Sequence, residues 1–288
     1  GVDSQLPGSH LWMCYRSDMS HPIYQIDAFA RGPFTGNPAA VVLLDGEADD
    51  RWMQQVAMEM NLSETAFVRP IDDDQADYEL RWFTPAVEVE LCGHATLATA
   101  HTLWAHADAP THAPLRFATH HSGVLTCTRR EDGAIAMDFP ADPPAPAEPP
   151  DGLLEALAVT QPIAIARSRH DWLVQLAHGD AVRQLAPAFH ALAAIEARGI
   201  IVTAVADDDQ PHDYISRFFA PRLRIDEDPV TGAAHCVLGP WWADQLGPDA
   251  LTGYQASARG GIVHTTCRGD RVELAGHAVT IVEGTLMA

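Results

Sequence analysis

The chain has 288 residues, of which 47% are hydrophobic, so it can bury a core large enough for two domains. Its formal net charge of −21 disfavours binding to nucleic acid or to an acidic membrane surface. All 18 basic residues are arginine, and the absence of lysine excludes pyridoxal phosphate and Schiff-base enzymes, which need a lysine amine.

The patterns of cysteine, histidine and hydropathy narrow the class of protein further. The five cysteines form no CxxC pair, which predicts free thiols in a reducing compartment and a cytoplasmic location. The 15 histidines form no HExxH motif, so no metal site is predicted. No run of about 18 apolar residues occurs, so no membrane span is expected. Residues 1–20 lack periodicity and a signal-peptide pattern, and they are predicted to be a leader or a cloning remnant, with Met19 as a candidate start.

The first predicted elements are two strands and a helix, at residues 23–29, 39–44 and 49–60, with Asp49 or Asp50 near the helix N-terminus. They lead to residues 61–68, where Glu64 lies beside an apolar strand. A carboxylate partly removed from water there would have a raised pKa, as a general acid/base near neutral pH requires. The alternative is a carboxylate that caps the turn through local N–H groups. The sequence does not decide between them.

A buried helix is predicted from residue 95, because small and apolar residues occur on every side of it. Gly93 and His94 lie at its start, so free N–H groups and the positive end of the helix dipole face whatever lies in front. An anionic ligand is one natural partner for such a helix end. The alternative is that Glu88, Glu90 or an ordered water caps it.

The sequence contains this unit twice. Residues 78–85 (YELRWFTP) and 214–221 (YISRFFAP) share Tyr, Arg, Phe and Pro at an offset of 136. In the second copy, Asp228 and Thr231 precede Gly232 at the start of another apolar helix, which Pro240 should kink or shorten. The repeat predicts two related halves. Two buried helix starts that meet across a pseudo-twofold axis would form one anion-attracting cleft.

The remaining elements complete an α+β arrangement of short strands around one apolar helix, twice over. They are predicted as a strand pair at 115–129 and 133–139, a Pro-rich linker at 138–152, strands at 162–166, 172–176 and 199–204, a helix at 185–196 and a meander at 256–286. The predicted domains are 21–138 and 153–278, joined by the linker 139–152. The last strand, about 279–288, is a candidate to join the first domain.

Several segments resemble one known family. They are DAFxxxxFTGNPAAVV, NLSETAFV, RWFTPxVEVxLCGHAT, DEDPVTGAA and the closing Arg259-Gly260-Gly261. From about residue 24 to the end, the chain resembles the phenazine biosynthesis PhzF-like isomerases, which have the diaminopimelate epimerase-like fold. The resemblance implies two pseudo-symmetric domains, each a rolled β-sheet around a central α-helix, with the active site between them. It also implies a small anionic substrate, no cofactor and a homodimer.

The resemblance also assigns roles to residues. It implies that Glu64 removes a proton from carbon and returns it at another position of a small unsaturated carboxylic acid, while His94 and Asp228 orient the substrate. The substrate-binding positions that it implies are Gly93, Thr231, Gly232, Ala233 and Asn37. Family members with well-understood chemistry carry serine where this chain has Ala233. The substrate is therefore expected to differ from the dihydroxyanthranilate-type compound of the phenazine pathway.

Two alternatives stay open at this point. Related epimerases and proline racemases use one cysteine from each half, and Cys92 stands where the first would be. The second half offers Thr231 and no thiol, and Cys236, one helical turn further on, fits a small buried apolar side chain better. The other alternative is a non-catalytic ligand-binding protein, because a fold alone does not define a function.

Overall fold

The computed structural model describes residues 20–107 and 109–288. The predicted leader, residues 1–20, lies outside the described residues except for Ser20. Within the described residues the strands form one hydrogen-bonded sheet of 17 strands. No helix in these two ranges is long and apolar enough to cross a membrane.

The first half of the sheet surrounds one buried helix. Its strands are β1 (His21–Ala28), β2 (Asn37–Leu43), β3 (Glu64–Pro70), β4 (Tyr78–Phe83), β5 (Glu88–Val89), β6 (Leu115–Ala118), β7 (Val124–Arg129) and β8 (Ile135–Pro140). Its helices are α1 (Asp50–Met60) and α2 (Gly93–His106). Helix α2 packs against β1, β2, β3 and β8.

Burial on every side explains the composition of α2. Its Thr96, Thr99 and Thr102 are fully buried, and each hydroxyl donates to the carbonyl oxygen four residues earlier, at 2.6–2.9 Å. These polar side chains are therefore satisfied within the helix, which lets them lie in an apolar core.

The second half has the same plan. Its strands are β9 (Ala145–Pro146), β10 (Ala164–Arg167), β11 (Asp171–Gln175), β12 (Gly199–Val205), β13 (Tyr214–Phe219), β14 (Ala250–Gln255), β15 (Gly261–Arg268), β16 (Arg271–Gly276) and β17 (Ala278–Leu286). Its helices are α3 (Leu153–Leu157), α4 (Gly179–Arg183), α5 (Phe189–Leu192), a 3₁₀ helix (Pro221–Leu223) and α6 (Gly232–Leu246). Helix α6 packs against β14, β15 and β16.

The internal repeat seen in the sequence is present in the strand pairing. In the first half β2 and β3 are parallel, β3 and β4 antiparallel, β4 and β6 parallel, and β6, β7 and β8 antiparallel. In the second half β11, β12, β13, β14, β15 and β16 repeat this order of directions. The repeated sequence segments form β4 and β13, each followed by its buried helix. The predicted α+β fold with two pseudo-symmetric halves is confirmed.

The two halves exchange strands. Strands β8 and β16 pair at the centre of the sheet. Strand β9 follows β8 in the chain but pairs with β10 of the second half, and β17 follows β16 but pairs with β1 of the first half. The stretch predicted as a linker thus contributes β9 to the sheet. The domain boundaries drawn from the sequence stay a prediction.

Two predicted elements are wrong in detail. The single strand predicted at 115–129 is two strands, because Thr119 and Gly123 close a turn in which the Thr119 N–H donates to the Gly123 oxygen at 3.0 Å. Gly123 has a φ of +69°, which suits glycine in such a turn. The helix predicted at 185–196 is limited to the four residues of α5, because α4 ends at Arg183, before this range, and residues 193–198 form turns and bends. Pro187 disfavours the helical conformation of the residue before it, so the helix does not begin at residue 185.

Pro240 was predicted to kink or shorten the second buried helix, and the shortening is wrong. Helix α6 continues through Pro240 to Leu246. Proline has no N–H to offer the Cys236 carbonyl oxygen, but the Asp142 N–H donates to that oxygen at 3.1 Å. A segment from outside the helix therefore replaces the missing hydrogen bond.

Candidate active site

Helices α2 and α6 meet at their N-termini. A β-carbon on Gly93 would lie 3.8 Å from the Cα of Gly232, and one on Gly232 would lie 3.7 Å from the Cα of Gly93. The N-cap residues Cys92 and Thr231 make no side-chain capping hydrogen bond. The two positive helix ends therefore face one region with uncapped first turns.

Neither of the carboxylates considered as alternative caps hydrogen-bonds to the start of α2. Glu88 accepts two hydrogen bonds from the Arg81 guanidinium, both at 2.7 Å. Glu90 is exposed, and no described group hydrogen-bonds to its carboxylate. Neither carboxylate occupies the helix start.

Glu64 lies against His94. Glu64 is the first residue of β3 and His94 the second of α2, and the Glu64 Oε2 is 3.0 Å from the His94 Nε2. The Glu64 side chain is 14% exposed and that of His94 is 7% exposed. The two atoms are close enough for an ion pair, and neither has another hydrogen-bond partner among the described residues. No described backbone N–H bonds to Glu64, which speaks against the turn-capping alternative.

Asn37 joins this pair to the second half. Its fully buried side chain donates from Nδ2 to the Asp228 Oδ1 at 2.8 Å and to the Val230 backbone oxygen at 2.9 Å. The same nitrogen is 3.3 Å from the His94 Nδ1, and its Oδ1 accepts from the Ser63 hydroxyl at 3.0 Å. Asn37 therefore lies between His94 and Asp228 and contacts both side chains.

Asp228 is partly buried in a polar setting. Burial raises its pKa to about 6, with the Glu64 charge acting in the same direction. The His94 charge and the hydrogen bonds from Thr231 and Asn37 oppose that rise.

Cys92 and His94 influence each other. Burial raises the pKa of Cys92 to about 11, and the Glu64 charge adds to this. Burial alone would lower the pKa of His94, but the neighbouring Cys92 and Glu64 raise it well above its usual value. Because the thiol keeps its proton at neutral pH, the Glu64 carboxylate is the charge that favours imidazolium.

Glu64, Cys92 and His94 also offer ligand atoms within 4.8 Å of one another. The Cys92 sulfur lies 3.5 Å from the His94 Nδ1, whereas Glu64 faces Nε2 of the same ring. One ion can bind only one of these nitrogens, so the three side chains do not point at a common centre. The absence of a metal from the reaction stays an expectation.

A cavity of 250 Å³ opens beside the helix starts. Its walls include Gly93, Gly232 and Ala233, together with the apolar Leu91, Phe139 and Cys236 and the polar Asp142, Arg169, His170 and Arg198. The charge of Arg198 is neutralised by the fully buried Asp171, whose Oδ1 accepts a hydrogen bond from the Arg198 Nε at 2.9 Å. Another cavity, of 270 Å³, lies on the outer side of β3 and β4 under α1, away from these residues.

The loop between β1 and β2 is fixed to the second half by Asp27 and Arg259. Arg259 donates from Nη2 to the buried Asp27 at 2.7 Å and from Nε to the Gly36 oxygen at 2.8 Å. Asp27 also accepts the Phe34 N–H at 2.8 Å. Since Asn37 follows directly, this contact places Asn37 in the site. The sequence motifs contain Asp27 and Arg259 but give no sign that they meet.

Gln255, at the end of β14, is another residue that the sequence did not point to. Its fully buried amide donates to the Asp228 backbone oxygen at 2.8 Å and to the Thr231 hydroxyl oxygen at 3.2 Å, and it accepts the Thr231 N–H at 2.9 Å. A lone glutamine in a strand carries no sequence signal for such a role.

The structure brings all the predicted site residues to the region where the N-termini of α2 and α6 meet. These residues are Glu64, His94, Asp228, Gly93, Thr231, Gly232, Ala233 and Asn37. Cys92 and Thr231 occupy equivalent places, as the N-caps of α2 and α6. A two-thiol epimerase would have its second sulfur at this place in the second half. This protein has the Thr231 hydroxyl there, which donates a hydrogen bond to Asp228.

Comparison with known proteins defines the class. An uncharacterized isomerase of Halalkalibacterium halodurans is 46% identical over 270 residues, which cover 93% of this chain and 99% of the relative. The crystal structure of a phenazine biosynthesis protein PhzF family member of Enterococcus faecalis is 40% identical, with a TM-score of 0.86 and coverage of 93% and 99%. A hydroxyproline epimerase of Agrobacterium vitis shares the fold alone, at 10% identity and a TM-score of 0.62, with coverage of 94% and 93%.

These likenesses place the protein among the isomerases with an epimerase-like fold. The family model for phenazine biosynthesis-like proteins (PhzC-PhzF) matches residues 26–284, and the chain belongs to that family. The predictions of the family and of an isomerase are confirmed.

Proposed function

We propose that this protein is a cofactor-independent isomerase in which Glu64 moves a proton between two carbons of a small unsaturated carboxylic acid. The observation that carries the proposal is the buried contact between the Glu64 Oε2 and the His94 Nε2, at 3.0 Å, beside two uncapped helix starts. Apart from His94, this carboxylate oxygen has no hydrogen-bond partner among the described residues, so it is available to accept a proton from a ligand.

The reaction needs one base only. The Glu64 carboxylate takes a proton from carbon, and the electron pair of the broken C–H bond moves into the conjugated system toward the substrate carboxylate. N–H groups of the helix starts at Gly93 and Gly232 stabilise the negative charge there. Glu64 then returns the same proton to a different carbon, and the double bond shifts. Nothing is consumed or released, so no cofactor is required.

The neighbouring side chains have orienting roles in this proposal. Charged His94 offers a donor to Glu64 or to the substrate, and ionised Asp228 offers an acceptor held by Asn37. Ala233 supplies no hydroxyl, so the bound acid meets fewer donors at the second helix start. The proposal includes the cytoplasmic location, with which the free thiols of the four described cysteines agree. It also includes the homodimer, which light scattering would test.

A ligand screen tests the proposal. We expect some members of a panel of small unsaturated carboxylic acids to raise the melting temperature by about 5 °C at saturating concentration, because they bind only the folded state. Their amides should not, since the helix starts favour a negative charge. Binding should not weaken at moderate ionic strength, because screening reduces the repulsion from the net charge of −21.

Deuterium incorporation separates catalysis from binding. Each acid that binds is incubated with the protein in deuterated water and followed by NMR. Incorporation at carbon, with migration of the double bond, is expected for a substrate. Binding without any exchange across the panel would favour the non-catalytic alternative.

Cys92→Ser should leave most of the activity intact. The Cys92 pKa of about 11 keeps the thiol protonated at neutral pH, and its counterpart Thr231 has no thiol, so Cys92 is not expected to act as a base. Turnover within about threefold of the parent enzyme is expected, measured beside Cys267→Ser as a control far from the site. A folded Cys92→Ser protein without activity would support the thiol-epimerase alternative.

A further inference from the structure

We infer that Gln255 is a positioning residue for Asp228: it fixes the Thr231 hydroxyl so that this hydroxyl donates to the Asp228 carboxylate. The inference rests on the proposed function only for the importance of Asp228 to the reaction. The hydrogen-bond arrangement itself can be tested in the free protein.

The direction of each hydrogen bond follows from the chemistry of the groups. The Thr231 N–H can only donate, so the Gln255 atom that faces it at 2.9 Å is the amide oxygen. The amide nitrogen must then face the Thr231 hydroxyl, at 3.2 Å, and the Asp228 backbone oxygen, at 2.8 Å. Because this nitrogen can only donate, the hydroxyl oxygen of Thr231 is an acceptor there. Its hydrogen is left for the Asp228 Oδ2, which lies within hydrogen-bond distance.

The second oxygen of Asp228 is held in the same way. The Asp228 Oδ1 accepts from the Asn37 Nδ2, another nitrogen that can only donate. Both carboxylate oxygens therefore face hydrogen atoms whose positions are set by Gln255 and by the first half. Two such donors favour the ionised form of a buried carboxylate.

His235 of α6 is fully buried, and its Nδ1 lies 2.9 Å from the Tyr214 hydroxyl. Burial lowers the pKa of His235 to about 3, so this histidine is neutral and adds no charge. The charged groups that face Asp228 are His94 of α2, which favours its ionised form, and Glu64 of β3, which opposes it.

The test is a titration of Asp228 in the free protein, followed by NMR of ¹³C-labelled aspartate carboxyl carbons and assigned with Asp228→Asn. The parent protein should titrate near the pKa of about 6. Thr231→Val removes the hydroxyl and should raise the midpoint by about one pH unit, because loss of one donor disfavours the charged form. Thr231→Ser keeps the hydroxyl and should restore the parent midpoint. Thr252→Val, whose hydroxyl contacts His264 instead, is the control.

A double variant isolates the part played by Gln255. Gln255→Met frees the hydroxyl to rotate and should raise the midpoint by less than Thr231→Val does. In a Thr231→Val background, Gln255→Met should add no further shift, since Gln255 acts through Thr231. Additive shifts, or no shift in Gln255→Met, would overturn the inference. Should Gln255→Met fail to fold, equal midpoints for Thr231→Val and Thr231→Ser would also overturn it.

The same variants distinguish this inference from the proposed function. If the midpoints shift as expected but no acid exchanges deuterium with any variant, the arrangement stands and the isomerase proposal fails. If exchange occurs, the midpoint of the acid limb in a plot of kcat against pH should shift to higher pH in Thr231→Val. In Thr231→Ser the midpoint should return to the parent value.

Discussion

Glu64→Gln is expected to lower turnover by a factor of about one hundred or more while the protein stays folded. Glutamine keeps the shape of the side chain and can still lie against His94, but its amide cannot take a proton from carbon. Without the Glu64 charge, burial favours neutral His94, so the variant leaves no unpaired buried cation and is expected to stay folded. Deuterium incorporation and turnover measure the loss, and a thermal melt checks the fold.

Glu59→Gln is the matched control for this variant. Glu59 lies exposed on α1, so the same chemical change should leave both turnover and melting temperature unaltered. If Glu64→Gln exchanged deuterium as fast as Glu59→Gln, Glu64 would not be the base of the reaction.

Gly36→Ala is expected to cost at least about 3 kcal/mol of folding free energy and to abolish most of the activity. Gly36 has a φ of +72°, and a β-carbon there would lie 2.2 Å from the Ala28 backbone oxygen. The backbone must therefore move, and the Gly36 contacts to Gly260 and Arg259 move with it. Asn37, the next residue, would lose its place between His94 and Asp228. Urea unfolding and turnover measure the two effects.

Gly32→Ala is the control within the same loop. No atom lies within 4 Å of a β-carbon at Gly32, so its free energy of unfolding should stay within about 0.5 kcal/mol of the parent value. Equal unfolding curves for the two alanine variants would show that the β1–β2 loop adjusts freely and does not fix Asn37.

Sequence reasoning found the features that short segments determine. Asp49 or Asp50 was predicted near the N-terminus of α1, and Asp49 is the N-cap, which accepts hydrogen bonds from the Arg51 and Trp52 N–H groups. The apolar residues on all sides of α2 predicted its burial, and the repeated segments predicted the two related halves. The first two signals each lie within one short segment, and the third comes from comparing two short segments 136 residues apart.

The features that the sequence did not predict share a different physical origin. The continuation of α6 past Pro240 depends on a hydrogen bond from Asp142, nearly a hundred residues earlier in the chain. Gln255 and Arg259 join the site only because β14 and β15 bring them beside Asp228 and Asp27. Such contacts between distant segments leave no periodicity or spacing in the sequence. The site could therefore be located from its motifs, but its supporting hydrogen bonds could not.

The exchanged strands have a consequence for how the chain reaches this state. The first strand pairs along its whole length with the last, from His21 opposite Leu286 to Ala28 opposite Ala278. During synthesis on the ribosome, one edge of β1 stays unpaired until β17 has been made. Pairing between such distant segments is slow, because a large loop must close before the contacts between the strands form. The nascent protein therefore exposes an open strand edge until β17 has been synthesised, and during that interval it is most open to aggregation and most dependent on chaperones.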